Sequence, residues 1–250
     1  MKKQNDSGYP VNVRNFKTLI DFIISFGAAY NPVKFSIKLE NLKALFEKIK
    51  LSLKAVDQAA SEMSNAQKMR QRVFYELEAF VTCIVGAVGS SDIMPGKVEK
   101  FESMVNKFRG NRATPEPSAP ESPDAPAEPA ARTNSTTQTS FDRKQDNFAE
   151  LVTFLEGEPN YQTNEPNLKL ESLQAMVSEL EARNDAVSMT EAAYSSALIA
   201  RDKLFFAPPT GLVPCTKAVK SYVQSAFKAS SPEFKKVSGI PFKDQPKKKK

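Results

Sequence analysis

Shifting the sequence against itself by 131 positions lays Leu39-Glu40-Asn41-Leu42 over Leu170-Glu171-Ser172-Leu173. The same shift lays Arg70-Gln71-Arg72-Val73-Phe74-Tyr75 over Arg201-Asp202-Lys203-Leu204-Phe205-Phe206, with no gap from Leu39 to Tyr75. A register kept over that length reads as two copies of one module. Any fold proposed for the first copy must therefore also serve the second. The repeat constrains architecture and names no activity.

The module reads as helical. Asn15-Phe16 through Ile23 and Asn147-Phe148 through Leu155 place apolar residues three and four apart, the spacing of a short amphipathic helix. A proline-bearing loop follows in each copy, at Asn31-Pro32 and at Asn164-Glu165-Pro166-Asn167, and disfavours continuation of the helix. A long element comes next. Its ladder is Leu39, Leu42, Phe46, Ile49, Leu53, Val56, Ala60 and Met63 in copy one. In copy two it is Leu170, Leu173, Val177, Leu180, Asn184, Val187, Glu191 and Tyr194. A helix of about 37 residues is about 55 Å long and needs partners along its length. The polar rungs Asn184 and Glu191 favour packing within a bundle over an extended zipper.

A third helix is expected in each copy. In copy two, Ala207-Pro208-Pro209-Thr210-Gly211 stops the long helix, and Thr216 to Lys228 is amphipathic. Phe80 to Val88 aligns with Val219 to Phe227, but the turn before it is shorter and unmarked, which leaves that boundary open. Between the copies, six prolines fall within Ala113 to Ala131 among Ala, Ser, Glu and Asp. So few large apolar side chains do not offset the entropy of folding, and the stretch reads as a semi-stiff tether. The organisation expected is a disordered N-terminus 1–11, module 12–110, a disordered linker 111–140, module 141–242 and a basic disordered tail 243–250. The fold class is all-α.

The chain has no histidine, which removes the usual general base near neutral pH and the commonest zinc ligand. Cys83 and Cys215 complete no metal-binding spacing; one disulfide between them is the alternative, but both lie in apolar helical patterns and read as buried free thiols. No Gly-rich phosphate loop occurs, and Glu76/Glu78 and Glu179/Glu181 lie two apart on helices, off a common face. The expectation is a non-enzymatic protein with no cofactor and no metal. No export signal is apparent and the apolar run Ala79 to Val88 is too short to span a bilayer, so a cytoplasmic protein without membrane insertion is expected.

The formal charge of +6 is unevenly spread: residues 1–110 carry +6, 111–146 carry −2, 147–242 carry −2 and 243–250 carry +4. Candidate binding residues follow from the repeat and the tail. Arg70 and Arg201 occupy matched positions, each followed by a second cation (Arg72, Lys203) and an aromatic pair. An arginine fork beside aromatics is a way to read an anion or phosphate. The competing reading is that a helix of 3.6 residues per turn drifts off the seam and carries the arginine outward. Lys247, Lys248, Lys249 and Lys250 could contact nucleic acid or another anionic surface nonspecifically, or form a solubilising end.

Several stretches together carry a resemblance. They are Thr137 to Asp142, the Tyr161/Asn164-Glu165 loop, Arg201-Asp202-Lys203-Leu204, Gly211-Leu212-Val213, Val219 to Phe227, Ser231-Pro232-Glu233-Phe234-Lys235 and Gly239-Ile240-Pro241-Phe242. With the Pro/Ala/acidic tether they resemble a family of duplicated all-helical proteins from Bacteroidota with no assigned activity. The resemblance implies no catalytic residue. The chain departs from that pattern by carrying Lys228, where the family has glycine after the aromatic of the third helix.

The function expected is a helical scaffold or interaction protein whose partner is a protein. Its two modules either pair as an intramolecular pseudo-dimer or bind bivalently. The alternative is a weak nucleic-acid or anionic-surface binder using the basic first module and the terminal lysines.

Overall fold

The computed structural model describes residues 8–111 and 140–244, and the proline-rich stretch and Lys247–Lys250 fall outside them. Every regular element among the described residues is helical. The helices are α1 (Gly8–Phe26), α2 (Leu39–Gly89), α3 (Pro95–Arg109), α4 (Phe141–Glu156), α5 (Leu170–Phe206), α6 (Leu212–Phe227) and α7 (Pro232–Ser238). Short 3-10 turns at Phe35–Ile37 and Pro166–Leu168 precede α2 and α5.

The described residues fall into two compact units. One draws on Met1–Met63 and Thr190–Lys250, the other is Ser64–Met189, and the division falls inside both α2 and α5. Packing therefore groups the elements differently from the consecutive modules 12–110 and 141–242. The reason lies in which helix covers which apolar face. In the first unit α1 packs on α6 and α7, and in the second α3 packs on α4. Each contact joins an element that precedes the proline-rich stretch to one that follows it.

The core of the first unit is Phe16, Leu19, Ile23, Leu42, Ile49, Phe205, Leu212, Val219 and their neighbours, all buried. The second is built from Phe74, Leu77, Ile84, Phe101, Phe108, Phe148, Leu151, Leu173 and Leu180. The seam positions Leu42, Ile49 and Val56 in α2, and Leu173, Leu180 and Val187 in α5, are all buried. Their seven-residue spacing keeps one stripe inward over successive turns. Asn184, a polar rung of that stripe, is half-buried and donates from Nδ2 to Gln145 Oε1 at 2.6 Å.

Four sequence boundaries move. Residues 8–11 belong to α1 rather than to a disordered N-terminus, because Tyr9 is buried edge-on against Phe205, ring centroids 4.9 Å apart. Ser140 belongs to α4 as its N-cap, accepting from the Arg143 backbone N–H at 3.3 Å. Lys243 is held rather than loose: its N–H donates to Asn12 Oδ1 at 2.8 Å, and Asn12 Nδ2 donates to the Lys243 carbonyl at 2.9 Å. In copy one no turn separates a third helix, since α2 runs unbroken to Gly89, and α3 is an additional element. Copy two does break where the prolines stand, and Pro208-Pro209 is a cis bond. Beyond α6, Lys228 takes a φ of 71°, the left-handed region where glycine is ordinary.

Candidate functional site

In the second unit the C-terminal part of α2 and the N-terminal part of α5 leave an open groove of about 650 Å³. Its apolar lining is Met69, Val73, Ala79, Phe80 and Cys83 from α2 and Met176 from α5, with Asn167 of the preceding 3-10 turn at its edge. The α2 residues recur at three- and four-residue intervals, so helical geometry alone places them on one face. The volume lies inside the range of roughly 300–1,000 Å³ usual for ligand clefts.

Charged side chains at the groove are paired along their own helices. Arg72 Nε lies 3.1 Å from Glu76 Oε1, and Arg183 Nη2 lies 3.0 Å from Glu179 Oε1, both with the i,i+4 spacing. The lining thus carries two cations and two anions. Cys83 is an exposed free thiol in this groove, not the buried one expected, because its position on α2 faces the open side. Cys215 is free and buried, and burial pushes its thiol above the usual range.

The two sequence-matched arginines both stack on an aromatic ring, and neither simply drifts outward. The Arg70 guanidinium sits 4.2 Å from the Phe141 ring centroid, and that of Arg201 sits 3.8 Å from the Tyr9 centroid. The alignment of opening helices that pairs Asn15 with Asn147 also pairs Tyr9 with Phe141. The adjoining aromatics match too: Phe74 meets Phe141 edge-on at 5.0 Å, as Phe205 meets Tyr9 at 4.9 Å. Arg201 is 1% exposed, with Nη2 3.0 Å from Asp202 Oδ1, which also accepts from Tyr9 Oη at 2.7 Å. Arg70 is half-buried, and its Nε has no hydrogen-bond partner. Arg72 and Lys203 are exposed. Within its own unit each matched arginine clamps two helices, Arg72 borders the groove of the second unit, and Lys247, Lys248, Lys249 and Lys250 lie outside the described residues.

Sequence reasoning missed the groove and a pair of tyrosine clasps. Tyr30 Oη donates to the Ile37 carbonyl at 2.7 Å, and Tyr161 Oη to the Leu168 carbonyl at 2.8 Å. Burial raises both phenols above their ordinary range. A second pair holds the same turns, with Asn41 Nδ2 donating to the Phe35 carbonyl at 2.7 Å and Ser172 Oγ to that of Pro166 at 2.8 Å. All four bonds respect the 131-residue shift, so the signal was present as a buried tyrosine ahead of each long helix. A cleft adjoins each clasp, one of about 450 Å³ lined by Tyr30, Lys38, Glu40 and Lys43 and the other of about 600 Å³ lined by Tyr161, Lys169 and Glu171.

Among the described residues, no cluster of three or more Cys, Asp or Glu side chains could hold a metal ion. No helix among them is long and apolar enough to cross a membrane. Compared with protein families, curated proteins and solved structures, the chain matches none.

Proposed function

We propose that the chain is a non-enzymatic helical interaction protein, made of two copies of one module whose elements pair across copies. The observation that carries the reading is the arginine–aromatic clamp, which joins Arg201 of copy two to Tyr9 of copy one and Arg70 of copy one to Phe141 of copy two. The side chains best suited to anion chemistry are spent on holding helices together. What each unit then offers a partner is surface. Pairing equivalent elements across a duplication is the intramolecular analogue of an isologous dimer. Membership of the duplicated Bacteroidota family, with the 111–140 stretch as tether, belongs to the same reading.

The partner is a protein, and the groove of the second unit is the surface that receives it. Affinity purification from source cells with the intact chain and with Ala79→Arg tests this. Ala79 is exposed at the groove and arginine is a good helix former, so the variant obstructs the groove while keeping the helix. A partner held by the intact chain and lost with Ala79→Arg supports the reading. A retained set of proteins, or one lost instead when Lys247 to Lys250 are removed, overturns it.

A further inference from the structure

The loop between α1 and α2 exposes two apolar side chains that its own fold does not use. Val33 is 96% exposed and Phe35 is 72% exposed. Phe35 opens the 3-10 turn Phe35–Ile37, and the turn draws on its main chain: the carbonyl accepts from Asn41 Nδ2 at 2.7 Å. In the second unit Pro166 opens the matching turn, and its carbonyl accepts from Ser172 Oγ at 2.8 Å. The residue before each turn has the same backbone, Lys34 at φ −64°, ψ 117° and Glu165 at φ −71°, ψ 117°. The same turn is thus built without an exposed aromatic, and the Phe35 side chain needs another reason.

The positions around it differ in a consistent sense. At the 131-residue shift Val33-Lys34-Phe35 matches Asn164-Glu165-Pro166, and Lys38, Glu40 and Lys43 match Lys169, Glu171 and Gln174. Lys34, Lys38, Glu40 and Lys43 are all exposed and carry a net +2, whereas Glu165, Lys169, Glu171 and Gln174 carry −1. Lys38 and Lys43 line the cleft beside Tyr30, next to the loop. Copy one therefore sets exposed apolar side chains among cations, where copy two keeps a polar, acidic loop. The extended angles of Lys34 are those that put residues two apart on one side of the chain, so Val33 and Phe35 form one tip.

We infer that this loop docks the first unit on an anionic lipid surface. Val33 and Phe35 enter the boundary between headgroups and acyl chains, and Lys34, Lys38 and Lys43 lie against the lipid phosphates and carboxylates. A specific protein interface needs about 800 Å² from each partner, far more than two side chains at a loop tip, whereas a soft lipid interface closes around so small a projection. Each lysine adds about five-fold to the partition at low ionic strength. Apolar burial adds a component that salt does not screen. No spanning helix is involved, and the surface is independent of the groove in the second unit.

The chain has no tryptophan, so Phe35→Trp makes a single fluorescent reporter at the loop. With vesicles of phosphatidylserine and phosphatidylcholine in equal parts, the full chain carrying it is expected to shift its emission to the blue and to be quenched by brominated acyl chains. Neither change is expected with phosphatidylcholine alone. In flotation with the anionic vesicles, Val33→Asn with Phe35→Pro writes the second unit's residues into a turn of the same geometry and should lower the partition roughly ten-fold or more. Lys34→Gln and Lys38→Gln should each lower it about five-fold. Retention on duplex DNA, which offers no apolar layer, should not respond to the Val33 and Phe35 changes. An unchanged emission with anionic vesicles at low salt overturns the inference, as does equal partition of the native and Val33→Asn/Phe35→Pro chains. Displacement from vesicles by soluble phosphoserine would make the loop a free-anion site and refute it too. A protein captured from cells by the native chain and lost with the loop variant, while vesicle partition stays the same, would make the loop a protein contact instead.

Discussion

Arg201 in the first unit and Arg70 in the second stand at matched positions on matched aromatic rings, yet the first is sealed and the second half open. Two differences at matched positions account for it. Asp202 follows Arg201, whereas Gln71 follows Arg70, and Tyr9 stands where the other unit has Phe141. The Asp202 carboxylate neutralises the guanidinium and accepts the Tyr9 hydroxyl, so the charge has partners inside. Burying a guanidinium without such partners is costly. Gln71 and Phe141 offer neither a charge nor a hydroxyl, and Arg70 keeps contact with water.

The largest expected effect comes from breaking that contrast. Arg201→Ala leaves Tyr9 and the half-buried Asp202 without their cation, and removing one partner of a buried pair costs about 3 kcal/mol. Arg70→Ala removes a partly exposed cation–π contact worth about 1 kcal/mol. Urea unfolding of the two variants reads the ratio, and equal losses would mean that Asp202 does not set the difference.

Next in size is the turn that leads into α6. Gly211, the N-cap of α6, takes an ordinary φ of −68°, so its requirement is space: a Cβ there would meet the Ala207 backbone N at 2.8 Å and O at 2.9 Å. Neither atom can give way as a flexible side chain would. Gly211→Ala is expected to cost about 2 kcal/mol, as overpacking does, and to speed the reaction of Cys215 by loosening the segment above it. A substitution with no effect on either would show that the turn does not brace α6.

Where the two units agree, so should their variants. Tyr30→Phe and Tyr161→Phe each remove a hydroxyl donor from a turn carbonyl, at ~1 kcal/mol in thermal or urea unfolding. Their alkaline behaviour separates them. A phenol whose folded value is raised holds its proton more tightly folded than unfolded, so that contribution is full below about 10.0 and is lost as pH climbs toward the folded value. Tyr30 carries added causes from Tyr222 and Cys215 beyond burial, whereas Tyr161 carries burial alone. Stability should therefore fall above pH 10, and Tyr30→Phe should flatten that fall more than Tyr161→Phe.

How much of this was legible follows from what a hydrophobic pattern encodes. The ladders at Leu42/Ile49/Val56 and Leu173/Leu180/Val187 are properties of single helices, and periodicity exposes them. The pattern says that α1 must bury Phe16 and Leu19, but any apolar face satisfies it, whether from its own copy or the other. For that reason the grouping of elements into units was out of reach. The Arg201 network was closer: an acid beside one arginine and an amide beside the other is visible in the chain, though its meaning needed Tyr9 to arrive from nearly 200 residues away.

The smallest effect concerns charge on the two long helices. In the first unit Lys38, Lys43, Lys48, Lys50 and Lys54 are exposed on or just before α2, and Lys50 pairs with Glu47. The corresponding stretch of α5 mixes Lys169 and Arg183 with Glu171, Glu179, Glu181 and Asp185, which leaves it net acidic. Binding to a polyanion should therefore use the first unit and the terminal lysines, and each neutralised phosphate adds to its salt dependence. Weak, sequence-independent retention on heparin or duplex DNA is expected, lost by about 200 mM salt. Replacing Lys43, Lys48 and Lys54 by glutamine should weaken it, deleting Lys247 to Lys250 should weaken it further, and Lys169→Gln should leave it unchanged. Retention that survives such salt and both changes, but disappears with Arg70→Ala, would reverse the roles of the units. The half-open arginine beside Phe141 would then be the anion site that its sealed counterpart has given up.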